Sequence, residues 1–164
     1  LSQVFLDLGD LARATEWTDE GRRRFPAEPS FTAGKLVILA GWAGVLEAVD
    51  STYVLLNDLE RYWNVSQWPF GRLQVAAVLA QHGMPDSALV LVEQVRSSVD
   101  SGPWTRYFEA NVQLHLGDEE KALDLLEAFL TEVPQRKAYI SRDWWWEPLR
   151  DHPRFQEMVD PGTG

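Results

Sequence analysis

A 34-residue internal repeat constrains this chain more than any other feature. The segment RLQVAAVLAQHGMPDSALVLVEQV (72–95) aligns without a gap on RYFEANVQLHLGDEEKALDLLEAF (106–129). The small residues and the glycines coincide: Ala76 with Ala110, Gly83 with Gly117, and Ala88 with Ala122. A fixed period of this length is typical of arrays in which neighbouring units bury each other's apolar faces. The sequence therefore predicts stacked units of two helices each.

Local signals within the repeat agree with two helices and a tight turn. Apolar residues from Ala122 to Val133 recur at the spacing of one broad helical face. Gly117 is predicted to end the first helix with a positive φ, and Asp118 to cap the second. Pro134 is predicted to stop that second helix.

The remaining units are less regular. Residues 6–26 repeat the signature with Gly9-Asp10 at the turn and Ala14 after it. Because the sequence begins partway through the first helix of this unit, we expect the chain to be part of a longer array. The predicted organisation is a single domain over 1–164, with units 1–30, 31–68, 69–102 and 103–136 and a cap at 137–160. The cap is expected to be atypical because terminal repeats close the stack.

These residues resemble the tetratricopeptide repeat (TPR) family. That family has a small residue in the first helix, a glycine at the turn, an alanine early in the second helix, and later a large apolar residue and a proline. The matching positions are Ala110, Gly117, Ala122, Leu126 and Pro134. The resemblance implies an all-α fold, an α-solenoid of antiparallel helix hairpins wound as a right-handed superhelix with a C-terminal capping segment. EPLRDHPRF (147–155) resembles the tail after repeat arrays in multidomain bacterial regulatory proteins.

Composition excludes several classes of function for this segment. With 15 basic and 25 acidic residues the formal charge is −10, which disfavours a nucleic-acid partner. No apolar run approaches the roughly 20 residues that span a bilayer, so we expect no membrane insertion. Cysteine is absent, and the three histidines form no pair at metal-ligand spacing. We therefore expect no metal, no cofactor and no catalytic residues.

The family resemblance implies a concave groove formed by the first helices of the units. Helical spacing selects the candidate peptide-binding residues Lys35, Trp42, Arg72, Gln81, Trp104, Tyr107, Asn111 and His115. These are residue types that contribute strongly to protein interfaces or hydrogen-bond to peptides. For each of them, packing of helix on helix is the alternative interpretation.

Three consecutive tryptophans, Trp144, Trp145 and Trp146, have two interpretations. They close the open apolar end of the last repeat, with two rings inside and one at the surface, or they form an exposed aromatic platform for a partner. The first interpretation is favoured.

The predicted function is a non-catalytic scaffold that binds a protein or peptide segment in its groove. One alternative is the regulatory or sensor region of a bacterial signalling or transcription regulator that binds a small ligand or a segment of the same protein. Another is a module for self-association. An enzyme is the least favoured class.

Overall fold

The computed structural model describes residues 2–41, 49–62, 68–98 and 102–160. The chain divides into two compact units, Leu1–Val99 and Asp100–Gly164. The described residues of both units are helical, with no strand among them. The all-α, TPR-like helical repeat fold is thereby confirmed.

The first unit contains six α-helices in the described residues. They are α1 (Ser2–Asp7), α2 (Leu11–Arg24), α3 (Pro29–Gly41), α4 (Val49–Glu60), α5 (Phe70–Gln81) and α6 (Pro85–Ser98). Consecutive helices pack on each other as hairpins, and α3 also packs against α5. The core of this unit consists of aliphatic side chains such as Leu36, Leu39, Leu59 and Leu79, each 2% exposed or less.

The second unit contains one full hairpin followed by a shorter, irregular cap. Its helices are α7 (Pro103–His115), α8 (Glu119–Glu132), α9 (Lys137–Ile140) and α10 (Pro153–Val159), with 3₁₀ turns at Pro134–Arg136 and Trp144–Leu149. Pro134 follows Val133, the C-cap of α8, and cannot continue the helix because it lacks an N–H and has a fixed φ. Pro153 occupies the first turn of α10, where proline is favoured.

The same turn joins the two helices in three hairpins. Gly9, Gly83 and Gly117 have φ of 71°, 70° and 82°, and glycine adopts this left-handed conformation without a steric penalty. After Gly117, the N–H of Asp118 donates to the Gln113 carbonyl at 3.0 Å, which closes the end of α7. The Asp118 carboxylate then accepts a hydrogen bond from the Lys121 N–H and caps α8. The predicted turn and cap are confirmed.

Buried positions recur with the 34-residue period in the hairpins α5–α6 and α7–α8. Ala76 and Ala110 are fully buried in the first helices, as are Ala88 and Ala122 in the second. These side chains are small because two helices cross closely at these points. Near the end of the second helix, Val95 and Phe129 occupy equivalent positions and are both fully buried. The second unit therefore buries a larger side chain at this position than the first unit does.

Candidate functional site

Tyr107 lies at the centre of an aromatic cluster in the second unit. Its ring stacks on Trp145 with centroids 5.6 Å apart and an interplanar angle of 13°. Trp104, Phe129 and Trp146 surround it at centroid distances of 5.6, 5.3 and 5.4 Å. Offset and edge-to-face geometries of this kind are the favourable ones for aromatic pairs. The cluster therefore joins α7 and α8 to the cap through ring contacts.

The tryptophan run is divided between the interior and the surface. Trp145 is 4% exposed, Trp146 is fully buried, and Trp144 is partly exposed with its ring edge-on to Trp145. Asp143 caps this turn, because its carboxylate accepts a hydrogen bond from the Trp145 N–H at 3.3 Å. A binding role for the partly exposed Trp144 stays a prediction.

A buried hydrogen bond fixes Tyr107. Its hydroxyl donates to the Asp143 carboxylate, and both residues are buried. Burial raises the pKa of Tyr107 well above its usual value, and the negative charge of Asp143 raises it further. The phenol is therefore neutral at ordinary pH, and it holds the capping turn against α7.

Three of the predicted groove residues are buried in this structure. Lys35 is 3% exposed and its Nζ donates to Asp19 at 3.2 Å. Tyr107 is 5% exposed, and Asn111 is 1% exposed with its Nδ2 3.5 Å from His115 Nε2. In these conformations the three side chains offer little surface to a partner. They correspond to the packing alternative that helical spacing left open, and whether any of them binds a partner stays a prediction.

The other predicted groove residues are Arg72, Gln81, Trp104 and His115, which are partly exposed, and Trp42, which lies outside the described residues. Arg72 donates through Nε to Glu60 and through Nη1 to Gln94, both at 2.8 Å. Gln81 donates to the Ala40 carbonyl at 2.6 Å. The side chains of Arg72 and Gln81 thus hydrogen-bond within their own unit, and part of each remains at the surface.

A cation–aromatic stack at the surface was missed by sequence reasoning. The guanidinium carbon of Arg136 lies 5.2 Å from the Trp104 ring centroid and 5.7 Å from that of Tyr139. Arg136 is exposed and Tyr139 is 40% exposed. Arg136 makes no ion pair with any described residue, so its charge is held by rings and solvent. In the sequence, the three-residue spacing of Arg136 and Tyr139 after Pro134 could have indicated a contact between these two side chains. Only the fold shows that Trp104 also contacts Arg136.

A second feature missed from the sequence is an arginine from α10 that binds three carboxylates of α8. Arg154 contacts Glu120 at 3.3 Å, Asp124 at 2.7 Å and Glu127 at 2.5 Å. Hydrogen bonds to Glu127 and Asp124 raise the pKa of the guanidinium, which is already charged at every accessible pH. The three acids are spaced i, i+4 and i+7 and so share one helical face. This arrangement ties the last helix of the cap to α8.

Beside this contact lies a cleft of about 570 Å³ between α8 and the cap. Leu130 and Met158 contribute apolar surface, while Lys137 and Glu157 stand among its charged lining residues. Charges of both signs line the cleft. Across the described ranges, no three acidic or histidine side chains are placed to hold a metal ion. No helix in the described part is long and apolar enough to cross a membrane.

The fold and these surfaces define the class of protein: a repeat protein built from antiparallel helix hairpins. Residues 103–128 match the family described as Tetratricopeptide repeat. This range covers α7 and most of α8, and it supports a TPR-type repeat there. TPR repeats generally mediate protein–protein interaction and are generally non-catalytic. Comparisons of the chain with curated proteins and with solved structures give no match.

Proposed function

We propose that this chain is a non-catalytic interaction module that binds a peptide or protein segment along α7, the first helix of the hairpin in its second unit. The observation that carries the proposal is the stack of Trp104, Arg136 and Tyr139 at the surface of the second unit. Trp, Tyr and Arg are the residue types most enriched where binding energy concentrates at interfaces. Trp104 stands on α7, the first helix of the hairpin that matches the TPR family.

Buried aromatic rings hold the Trp104 ring of this stack in place. The Trp104 ring contacts Phe129, which is fully buried, at a centroid distance of 5.1 Å. Tyr107 contacts both rings and is itself fixed by Asp143. A binding surface held in place by packing loses little conformational entropy when a partner arrives. In this proposal the buried Tyr107 and Asn111 support the surface within the second unit, and Trp104 and His115 contact the partner.

The regulatory alternative rests on a different feature. The likeness of 147–155 to the tails of bacterial regulators favours a role within a signalling protein. In that case a cis segment or a small ligand would occupy the binding surface.

Peptide selection tests the proposal for a partner of any sequence. A displayed library of random peptides is selected on the full chain, and the recovered peptides are titrated against three variants. Trp104→Ala and His115→Ala change first-helix residues, and Trp17→Ala is the matched control because Trp17 is 44% exposed on the second helix α2. Hot-spot truncation costs about 2 kcal/mol or more, so Trp104→Ala should weaken binding by at least about 30-fold.

His115→Ala is expected to weaken binding less, and Trp17→Ala should leave it unchanged. Circular dichroism at the titration temperature confirms that each variant is folded. Recovery of peptides whose affinity depends on Trp17 and not on Trp104 would refute the proposal, as would failure to recover any binder.

A further inference from the structure

The repeat equivalence of α6 and α8 breaks at one face. Leu123 of α8 is fully buried and Leu130 is 3% exposed. Their equivalents 34 residues earlier are Leu89, which is 45% exposed, and Arg96, which is exposed. Most other paired positions of the two hairpins have the same burial, so the difference is local.

In the second unit the cap packs against α8. Its last helix, α10, packs on α8 and places Arg154 against Glu120, Asp124 and Glu127. Met158, one turn after Arg154, lines the same cleft as Leu130. In the second unit α10 therefore lies against the part of α8 that carries these three carboxylates and Leu130, and it also carries the buried Phe155.

The corresponding face of α6 keeps two of the three acidic positions and is exposed. The positions equivalent to Glu120 and Glu127 are Asp86 and Glu93, and neither makes an ion pair with any described residue. Between them lie Leu89 and Val90, 45% and 56% exposed. On a helix with 3.6 residues per turn these four side chains share one side. Two carboxylates thus flank an exposed aliphatic pair, whereas on α8 the position of Val90 is held by a third carboxylate, Asp124, which also binds Arg154.

We propose that this face of α6, defined by Asp86, Leu89, Val90 and Glu93, docks a short amphipathic helix of a partner protein with the chemistry of α10. The partner's arginine binds between Asp86 and Glu93, and the aromatic residue after it packs on Leu89 and Val90. Charge complementarity selects a basic side chain, since both carboxylates lack a cation within the described part of the chain. This surface is formed by different residues, on α6, from those on α7 in the function proposed above.

A synthetic peptide with the sequence of residues 150–160 is the probe, fluorescently labelled and titrated into the full chain by polarisation. The test variant is Asp86→Lys with Glu93→Lys. The matched control is Glu16→Lys with Asp50→Lys, which changes the net charge equally at two exposed acids elsewhere on the first unit. The two new lysines should repel the arginine of the peptide and weaken binding by at least about tenfold in the test variant only.

Two further arms separate the explanations. Leu89→Asp should also abolish binding, whereas Trp104→Ala should not affect it, so failure of this proposal is distinguishable from failure of the first. Loss of binding in Glu120→Lys with Glu127→Lys, but not in the α6 variants, would show that the probe exchanges with α10 on α8 and would overturn the proposal. Absence of binding at millimolar peptide would overturn it as well. Sedimentation that shows self-association abolished by the α6 variant would identify the occupant as a second copy and contradict a separate partner.

Discussion

The hydroxyl of Tyr107 on α7 donates a hydrogen bond to the carboxylate of Asp143, 36 positions later at the start of the cap's tryptophan turn. Both side chains are buried, and the Tyr107 ring stacks on Trp145 two residues further on. One buried bond therefore connects the TPR-type hairpin to the segment that closes it. The stability of the cap should depend on this bond.

Tyr107→Phe keeps the ring contacts and removes the donor. Because a buried carboxylate then loses a partner, we expect the free energy of unfolding to fall by about 2 kcal/mol. Urea unfolding followed by circular dichroism measures the change. Tyr62→Phe is the control, since Tyr62 is 49% exposed and its loss of a hydroxyl should cost little. An equal effect of the two substitutions would contradict the role given to the buried bond.

The raised pKa of Tyr107 predicts a specific loss of stability at high pH. The folded chain keeps this phenol protonated above its ordinary pKa of 10.0, whereas the unfolded chain releases the proton near that value. Stability from this group is therefore fully present below about pH 10 and falls as the pH rises above it. Urea midpoints between about pH 8 and 11 should decline more steeply for the native chain than for Tyr107→Phe. Parallel curves would show that Tyr107 does not contribute.

Two helical glycines in the first unit should respond in opposite directions to the same substitution. A Cβ at Gly21 of α2 would overlap the ring of Phe31, so Gly21→Ala should destabilise by about 1–3 kcal/mol. At Gly34 of α3 the nearest atom, Thr18 Cγ2, is 3.8 Å away, which is ordinary contact. Gly34→Ala should therefore stabilise by roughly 0.5–1 kcal/mol, because alanine restricts the unfolded chain more. Thermal unfolding of the two variants checks the signs, and stabilisation by Gly21→Ala would disprove the close packing of α2 on Phe31.

Arg154→Ala should loosen α10 without unfolding the hairpin. The substitution leaves Glu120, Asp124 and Glu127 without the cation that they share, so amide exchange across Pro153–Val159 should accelerate. Because exposed ion pairs are screened by salt, the difference from the native chain should shrink at about 1 M NaCl. Arg61→Ala, which breaks only the contact with Asp58 in the first unit, is the control and should leave exchange in α10 unchanged.

Local features of the fold were predictable because their causes are local. Gly117 and Asp118 determine a turn and a cap by their own conformational and hydrogen-bonding preferences, and Pro134 stops α8 for the same reason. The burial of Tyr107 was not predictable from helical spacing, which places it on one face with Asn111 but does not indicate what packs there. That depends on Asp143 and Trp145, which are distant in sequence. The same limit hid the contact of Arg154 with α8.

The central claim is that α5–α6 and α7–α8 are the same structural unit 34 residues apart, and an aspartate scan tests it most directly. Each position in 70–98 and 104–132 is changed in turn, and the stability of every variant is measured by pulse proteolysis. The two profiles of stability loss should coincide at a shift of 34, with maxima at pairs such as Ala88 and Ala122, and should differ where Leu89 is exposed and Leu123 is buried. Profiles that agree best at another shift, or that do not correlate at all, would contradict the repeat.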